Sequence, residues 1–114
     1  MLFFKKKSNT DMILENKAFI AKMASTVDVL ISLVEDDKLD IIDGLRHVQD
    51  EIKYLNPSSN ERVVAMDNII NNKLADIKLA IVTAKKIQDY CGVQDIIDEL
   101  LTDTIVTRKS KEDS

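Results

Sequence analysis

Apolar positions recur along this chain in steps of three and four, the spacing of helices that bury one stripe and leave the rest in water. Ile13, Ile20, Val27 and Val34 lie seven residues apart, with Met23 and Leu30 between them. The pattern predicts a first helix over residues 11–35, its seam broken only by Asn16. Ser8, Asn9 and Thr10 are candidate caps for its opening N–H groups, and Asp11 and Glu15 suit the positive end of its dipole. Phe19, Ile31 and Leu33 widen the apolar face, so this helix is expected to meet more than one neighbour.

A second stripe, Ile41, Leu45, Val48, Ile52 and Leu55, predicts a helix over 38–54. Gly44 inside it costs about 1 kcal/mol relative to Ala and is read as a tolerated surface glycine rather than a close helix crossing. Asn56-Pro57-Ser58-Ser59 stops the helix, because proline disfavours helical backbone at the preceding residue. Ser58 and Glu61 have capping-box spacing, which places Ser58 as the N-cap of a third helix over 60–90. Its stripe reads Val63, Met66, Ile70, Leu74, Ile77, Ile81, Ala84 and Ile87. Gly92 is the expected left-handed residue after it. A short fourth helix, 94–103, offers Val93, Ile96, Ile97, Leu100 and Leu101, and the β-branched run Thr102–Thr107 is expected to fray.

The expected fold is therefore all-α: a mostly antiparallel helical bundle of three long helices and one short helix. Residues 1–10 read as an N-terminal arm, 11–107 as the helical bundle domain and 108–114 as a disordered C-terminal tail. Ile20, Val27, Leu30, Leu45, Val48, Ile52, Ile70, Leu74, Ile77 and Ile81 occupy central turns and are the predicted core.

Composition narrows the function classes. The 114 residues carry one Cys, two Gly, one Pro and no Trp, with aromatics at 4%. A lone Cys91 allows neither an intrachain disulfide nor a cysteine metal cluster. Net charge is −4, unevenly placed: residues 8–107 hold 18 acids against 10 bases, while Lys5, Lys6 and Lys7 give the first seven residues +3. An acidic body repels phosphate backbones, so nucleic acid is not expected as a partner. The order apolar-then-basic in Met1–Lys7 is the reverse of a secretory signal, and no stretch approaches the roughly 18 apolar residues of a membrane span. A reducing cytoplasm is the expected compartment.

Three groups of residues invite a chemical reading. Asp36-Asp37-Lys38-Leu39-Asp40 resembles the DDxxD motif with which isoprenoid synthases hold magnesium against a diphosphate. Only these five residues carry that resemblance, and acids collecting in a helix's first turn account for the same pattern. Asp40, Asp43, His47 and Asp50 or Glu51 form a column on the second helix, to which Asp95, Asp98 and Glu99 could add a second acidic cluster. A di-iron bundle needs inward carboxylates from four helices and two histidines, and this chain has one. His47 and Cys91, the only imidazole and thiol, would have to lie within hydrogen-bond reach to form a nucleophilic pair.

The reading adopted has no catalytic, cofactor-binding or metal-ligating residues. It is a non-enzymatic helical protein-protein interaction module, an adaptor or regulatory subunit, self-associating as a homodimer. Ile69, Leu79 and Val82 lie off the main stripe of the third helix and are the candidate interface. The first alternative is a peripheral protein docking on a membrane surface through Leu2, Phe3 and Phe4 with Lys5, Lys6 and Lys7. The second is a metal-dependent phosphohydrolase centred on Asp36, Asp37 and Asp40.

Overall fold

The computed structural model describes residues 8–113, which form four helices: α1 (Asn9–Leu33), α2 (Leu39–Lys53), α3 (Glu61–Ile87) and α4 (Cys91–Glu112). No strand occurs among the described residues. Three helices are long and one is short, as expected, but the short one is α2 with 15 residues; α4 has 22. The expected arm and tail boundaries shift accordingly, since Asn9 and Thr10 belong to α1 and residues 108–112 to α4.

The reason α4 runs on lies in its seam. Val93, Ile97, Leu100, Thr104, Thr107 and Lys111 follow one another by four and three and are all buried. The threonine hydroxyls donate back to the carbonyls of Leu100 and Asp103, so they enter the core with their polar atoms satisfied and their methyl groups packed. Arg108 adds ion pairs to Glu51 of α2 (2.7 Å) and to Glu112 (3.1 Å). Packing of this face outweighs the weak helix propensity of the β-branched run.

Each of α1 and α4 packs against both α2 and α3, which leaves α1 opposite α4 and α2 opposite α3 on the diagonals. Asn16, near the start of α1, bonds Asp67 in the second turn of α3, so these two helices run side by side in the same direction. Arg108 and Glu51, near the ends of α4 and α2, pair likewise, so the second two run together and against the first. Residues 55–60 cross the end of the bundle from α2 to the diagonal α3.

All ten predicted core residues are buried, and one hydrophobic cluster joins the four helices. Gly44 is where α2 and α4 touch: a Cβ there would meet Ile97 Cγ2 at 2.9 Å. It is therefore a close-approach glycine rather than a surface one. Gln49 is a buried clasp on the other side of α2, donating to the Ala24 carbonyl (2.9 Å) and Asp28 Oδ1 (2.7 Å) of α1.

Two expected helix ends also move. Ser58 is used in the crossover, where its Oγ accepts from Asn60 N–H, and Asn60 caps α3 by accepting from Arg62 N–H at 2.9 Å. At the other end of α3, Gln88 adopts the left-handed conformation (φ 58°), and Gly92 sits inside α4. Gln88 closes the helix with its backbone N–H on the Ala84 carbonyl and its side chain on the Lys85 carbonyl.

Candidate functional site

Where α1 and α3 begin and α4 ends, the core changes from aliphatic to polar. Asn16, Asp67 and Lys111 occupy seam positions of three different helices, and the Asp67 and Lys111 side chains are fully buried. Lys111 Nζ reaches Asp67 Oδ2 and Asn16 Oδ1, both at 2.8 Å, the second of these across the diagonal of the bundle. Asn16 Nδ2 donates to Asp67 Oδ2 at 2.6 Å, and Asn16 Oδ1 also accepts the backbone N–H of Ser58 at 2.9 Å. The amide thus ties the α2–α3 crossover to the start of α1 as well as joining the ion pair. Asp67 Oδ1 is buried without a hydrogen-bond partner among the described residues.

Burying an ion pair costs several kcal/mol per ion in lost hydration, which is recovered only with good geometry and additional hydrogen bonds. Asn16 supplies those bonds here. A polar layer of this kind fixes which helices meet and in what register, because any other alignment strands a charge in the apolar core.

Beside the cluster, between the first turns of α1 and α3, lies a cleft of about 330 Å³. Met12, Phe19 and Val64 form its apolar walls, Asn16 and Ser58 its polar floor, and Glu15 and Glu61 its acidic contribution. At the opposite end, Leu79, Ala80, Thr83, Ala84 and Ile87 of α3 line a groove with Val93 and Ile96 of α4. Leu79 and Ile87 are 69% and 65% exposed there.

The candidate interface residues of α3 divide on this map. Ile69, Leu79 and Val82 are all exposed. Only Leu79 lines the groove; Ile69 and Val82 lie about 140° apart around the helix axis and do not share a face. Phe3, Phe4, Lys5, Lys6 and Lys7 lie outside the described residues.

The acidic candidates are scattered by the fold. Asp36 and Asp37 are in the turn between α1 and α2, and Asp40 is in the first turn of α2, so the three do not form one helical face. Asp37 and Asp40 share a shallow hollow with Lys38, whose own ammonium lies 5.5 Å from the centre of the Tyr90 ring. Burial pushes the Tyr90 phenol above its usual range, and the charges of Glu35 and Asp37 push it the same way. Asp40, Asp43, His47 and Asp98 do line one groove between α2 and α4. Even so, no three His, Cys, Asp or Glu side chains among the described residues are disposed to hold a metal ion.

His47 and Cys91 are held apart. His47 lines the α2–α4 groove with Gln94, Asp98 and Leu101, and Cys91 is not among the residues of that groove. Cys91 instead donates its thiol to Asp89, which raises the thiol pKa and lowers that of the carboxyl. The Asp89 carboxylate also accepts the backbone N–H of Cys91, the first residue of α4, at 3.0 Å.

What sequence reasoning missed is the polar layer. The signal was present: Val63, Asp67, Ile70 and Leu74 keep the four–three rhythm, whereas Met66 breaks it. Lys111 likewise falls on the rhythm that starts at Val93.

Fold and cluster together define a four-helix bundle with parallel neighbours in two pairs and a polar lock at one end. No protein family, characterised protein or solved structure shows significant similarity to this chain. No helix among the described residues is long and apolar enough to cross a membrane.

Proposed function

We propose that this chain is a non-enzymatic helical interaction module of the cytoplasm that self-associates as a homodimer through the α3–α4 groove. The observation that carries the reading is the row Leu79, Thr83 and Ile87. These residues follow one another by four, so they stand in line on the outer face of α3, and the aliphatic ends of the row are left in water. The row is its own complement. A two-fold axis at Thr83 would set two α3 helices antiparallel and bring Leu79 of each copy against Ile87 of the other, in an isologous contact. Ala80, Val93 and Ile96 would extend the buried area on either side.

The axis position gives a direct test. In a Cys91→Ser background, Thr83→Cys places one thiol per chain on the proposed axis, within the 4.4–6.8 Å Cα separation range, of order 6 Å, that disulfides require. Mild oxidation should give a covalent dimer in high yield, and Arg46→Cys on the exposed face of α2 should not. Equal and slow cross-linking of the two variants would refute the α3–α3 contact.

A further inference from the structure

We propose that the outer face shared by α1 and α3 docks a short acidic amphipathic helix of a partner protein. The buried seams of these helices repeat every seven residues, as in Ile20 and Val27 of α1 and Val63, Ile70 and Ile77 of α3. Rows flanking the seams therefore repeat every seven as well. Glu15 of α1 and Glu61 and Val64 of α3 line the cleft between the two helices, which marks the flanks that turn to each other. Lys22 and Val29 continue the first of these rows, and Lys78, Val82 and Lys85 continue the other two, with only Asn and Ala between. Lys86 stands one turn beyond Val82. The Asn16–Asp67 bond sets the register of this parallel pair. Val29 is 13 residues past Asn16 and Val82 is 15 past Asp67, so the two exposed valines stand within about 3 Å of one height.

Three observations name the occupant. The first is charge: Lys22, Lys78, Lys85 and Lys86 are exposed, and none of them has an ion-pair partner among the described residues. Acids on the same turns are aimed elsewhere. Asp28 bonds Gln49 on the α2 side at 2.7 Å, and Asp76 lies on the row of Thr83, which lines the α3–α4 groove. The second is pattern: lysines around two exposed aliphatic side chains complement a helix whose aliphatic stripe is flanked by Asp or Glu. The third is size. From Lys22 to Lys86 the face rises about 20 Å, the length of a helix of about 13 residues. A nucleic-acid duplex or an anionic bilayer reaches past the lysines to Glu61, over a body where residues 8–107 hold 18 acids against 10 bases. A short segment meets the lysines alone. Val82 points about 100° round α3 from Thr83, so this face is separate from the α3–α3 contact and does not rest on dimerisation.

The probe is a fluorescein-labelled synthetic helix of about 15 residues, with leucines on one stripe and glutamates on both flanks, titrated with the full chain. Its anisotropy should rise to saturation, with an affinity that falls as salt screens the contact. Lys78→Glu with Lys85→Glu should weaken binding at least about tenfold, with the helical circular dichroism retained. Val82→Asp should weaken it comparably, and Lys22→Glu, on the other helix, serves if Val82→Asp fails to fold. Arg46→Glu with Lys109→Glu makes the same charge change at exposed positions of α2 and α4 and should leave the affinity within about twofold. Leu79→Glu should leave it unchanged as well; loss of binding there would move the peptide to the α3–α4 groove and overturn the site. No binding would overturn the proposal, as would equal losses in the two double variants. Equally tight binding of a peptide of the same composition with its leucines scattered would reduce the contact to charge and overturn it too. A DNA duplex or phosphatidylserine vesicles bound by the native chain, and released by Lys78→Glu with Lys85→Glu, would give the face to a polyanion and overturn the partner helix.

Discussion

Asp89 shows how much a single exposed side chain can set. Its carboxylate accepts both the backbone N–H and the thiol of Cys91, which holds its pKa below the ordinary aspartate range. A carboxylate with a depressed folded-state pKa contributes stability that is complete above the unfolded value, about 4, and that fades as pH falls through the lower folded value. The stability advantage of the native chain over Asp89→Ala should therefore be flat above about pH 5 and shrink below about pH 4. The same bond raises the Cys91 thiol, so iodoacetamide should label this exposed cysteine more slowly than a free thiol, and Asp89→Ala should speed the labelling. Faster labelling in the native chain would mean the thiol bond is not formed. The buried pair behaves differently. Asp67→Leu takes the carboxylate from a fully buried ammonium and is expected to cost about 3–5 kcal/mol in urea unfolding. Asp67→Leu with Lys111→Met, apolar on both sides, should recover most of that loss, and a single variant costing under about 1 kcal/mol would contradict a dry pair. Neither Asp67 nor Lys111 stands out by type, since Asp and Lys ordinarily sit at the surface. Only their place in the four–three rhythm marks them, and a search for apolar stripes passes over them.

At the scale of elements, the four helices and the Pro57 stop were legible because periodicity and proline act locally. The helix ends were less so. Ser58 has capping-box spacing, but its N–H is drawn to Asn16 and its hydroxyl to Asn60, contacts set by the crossover rather than by nearby sequence. α4 was cut short for a related reason: Arg108 and Lys111 find Glu51 and Asp67, 57 and 44 residues away. Gly44 is the clearest case of a residue whose meaning depends on a partner helix. Alanine would gain about 1 kcal/mol of helix propensity. It would also force its Cβ against the γ2 methyl of Ile97, a β-branched core residue with no free rotamer, at a cost of about 1–3 kcal/mol. Overpacking wins, and Gly44→Ala should lower stability by up to about 2 kcal/mol. A stabilised Gly44→Ala protein would show that α2 and α4 stand further apart.

For the whole molecule, the two ends of the bundle have opposite character. One carries the polar lock and the acidic-edged cleft, the other the apolar row of Leu79, Thr83 and Ile87. The lock holds one helix order, so the row is presented on a fixed outer face. The candidate interface read from the sequence is spread over Ile69, Leu79 and Val82, because without the neighbours of α3 every apolar residue off its stripe looks alike. Ile87, read as the last residue of the apolar stripe, is 65% exposed for the same reason. The most direct test is the mass in solution. Light scattering at micromolar concentration should give twice the 12.9 kDa of one chain, and Leu79→Glu should halve it without loss of helicity. A native chain that stays at 12.9 kDa, with Leu79→Glu indistinguishable from it, would contradict self-association through α3.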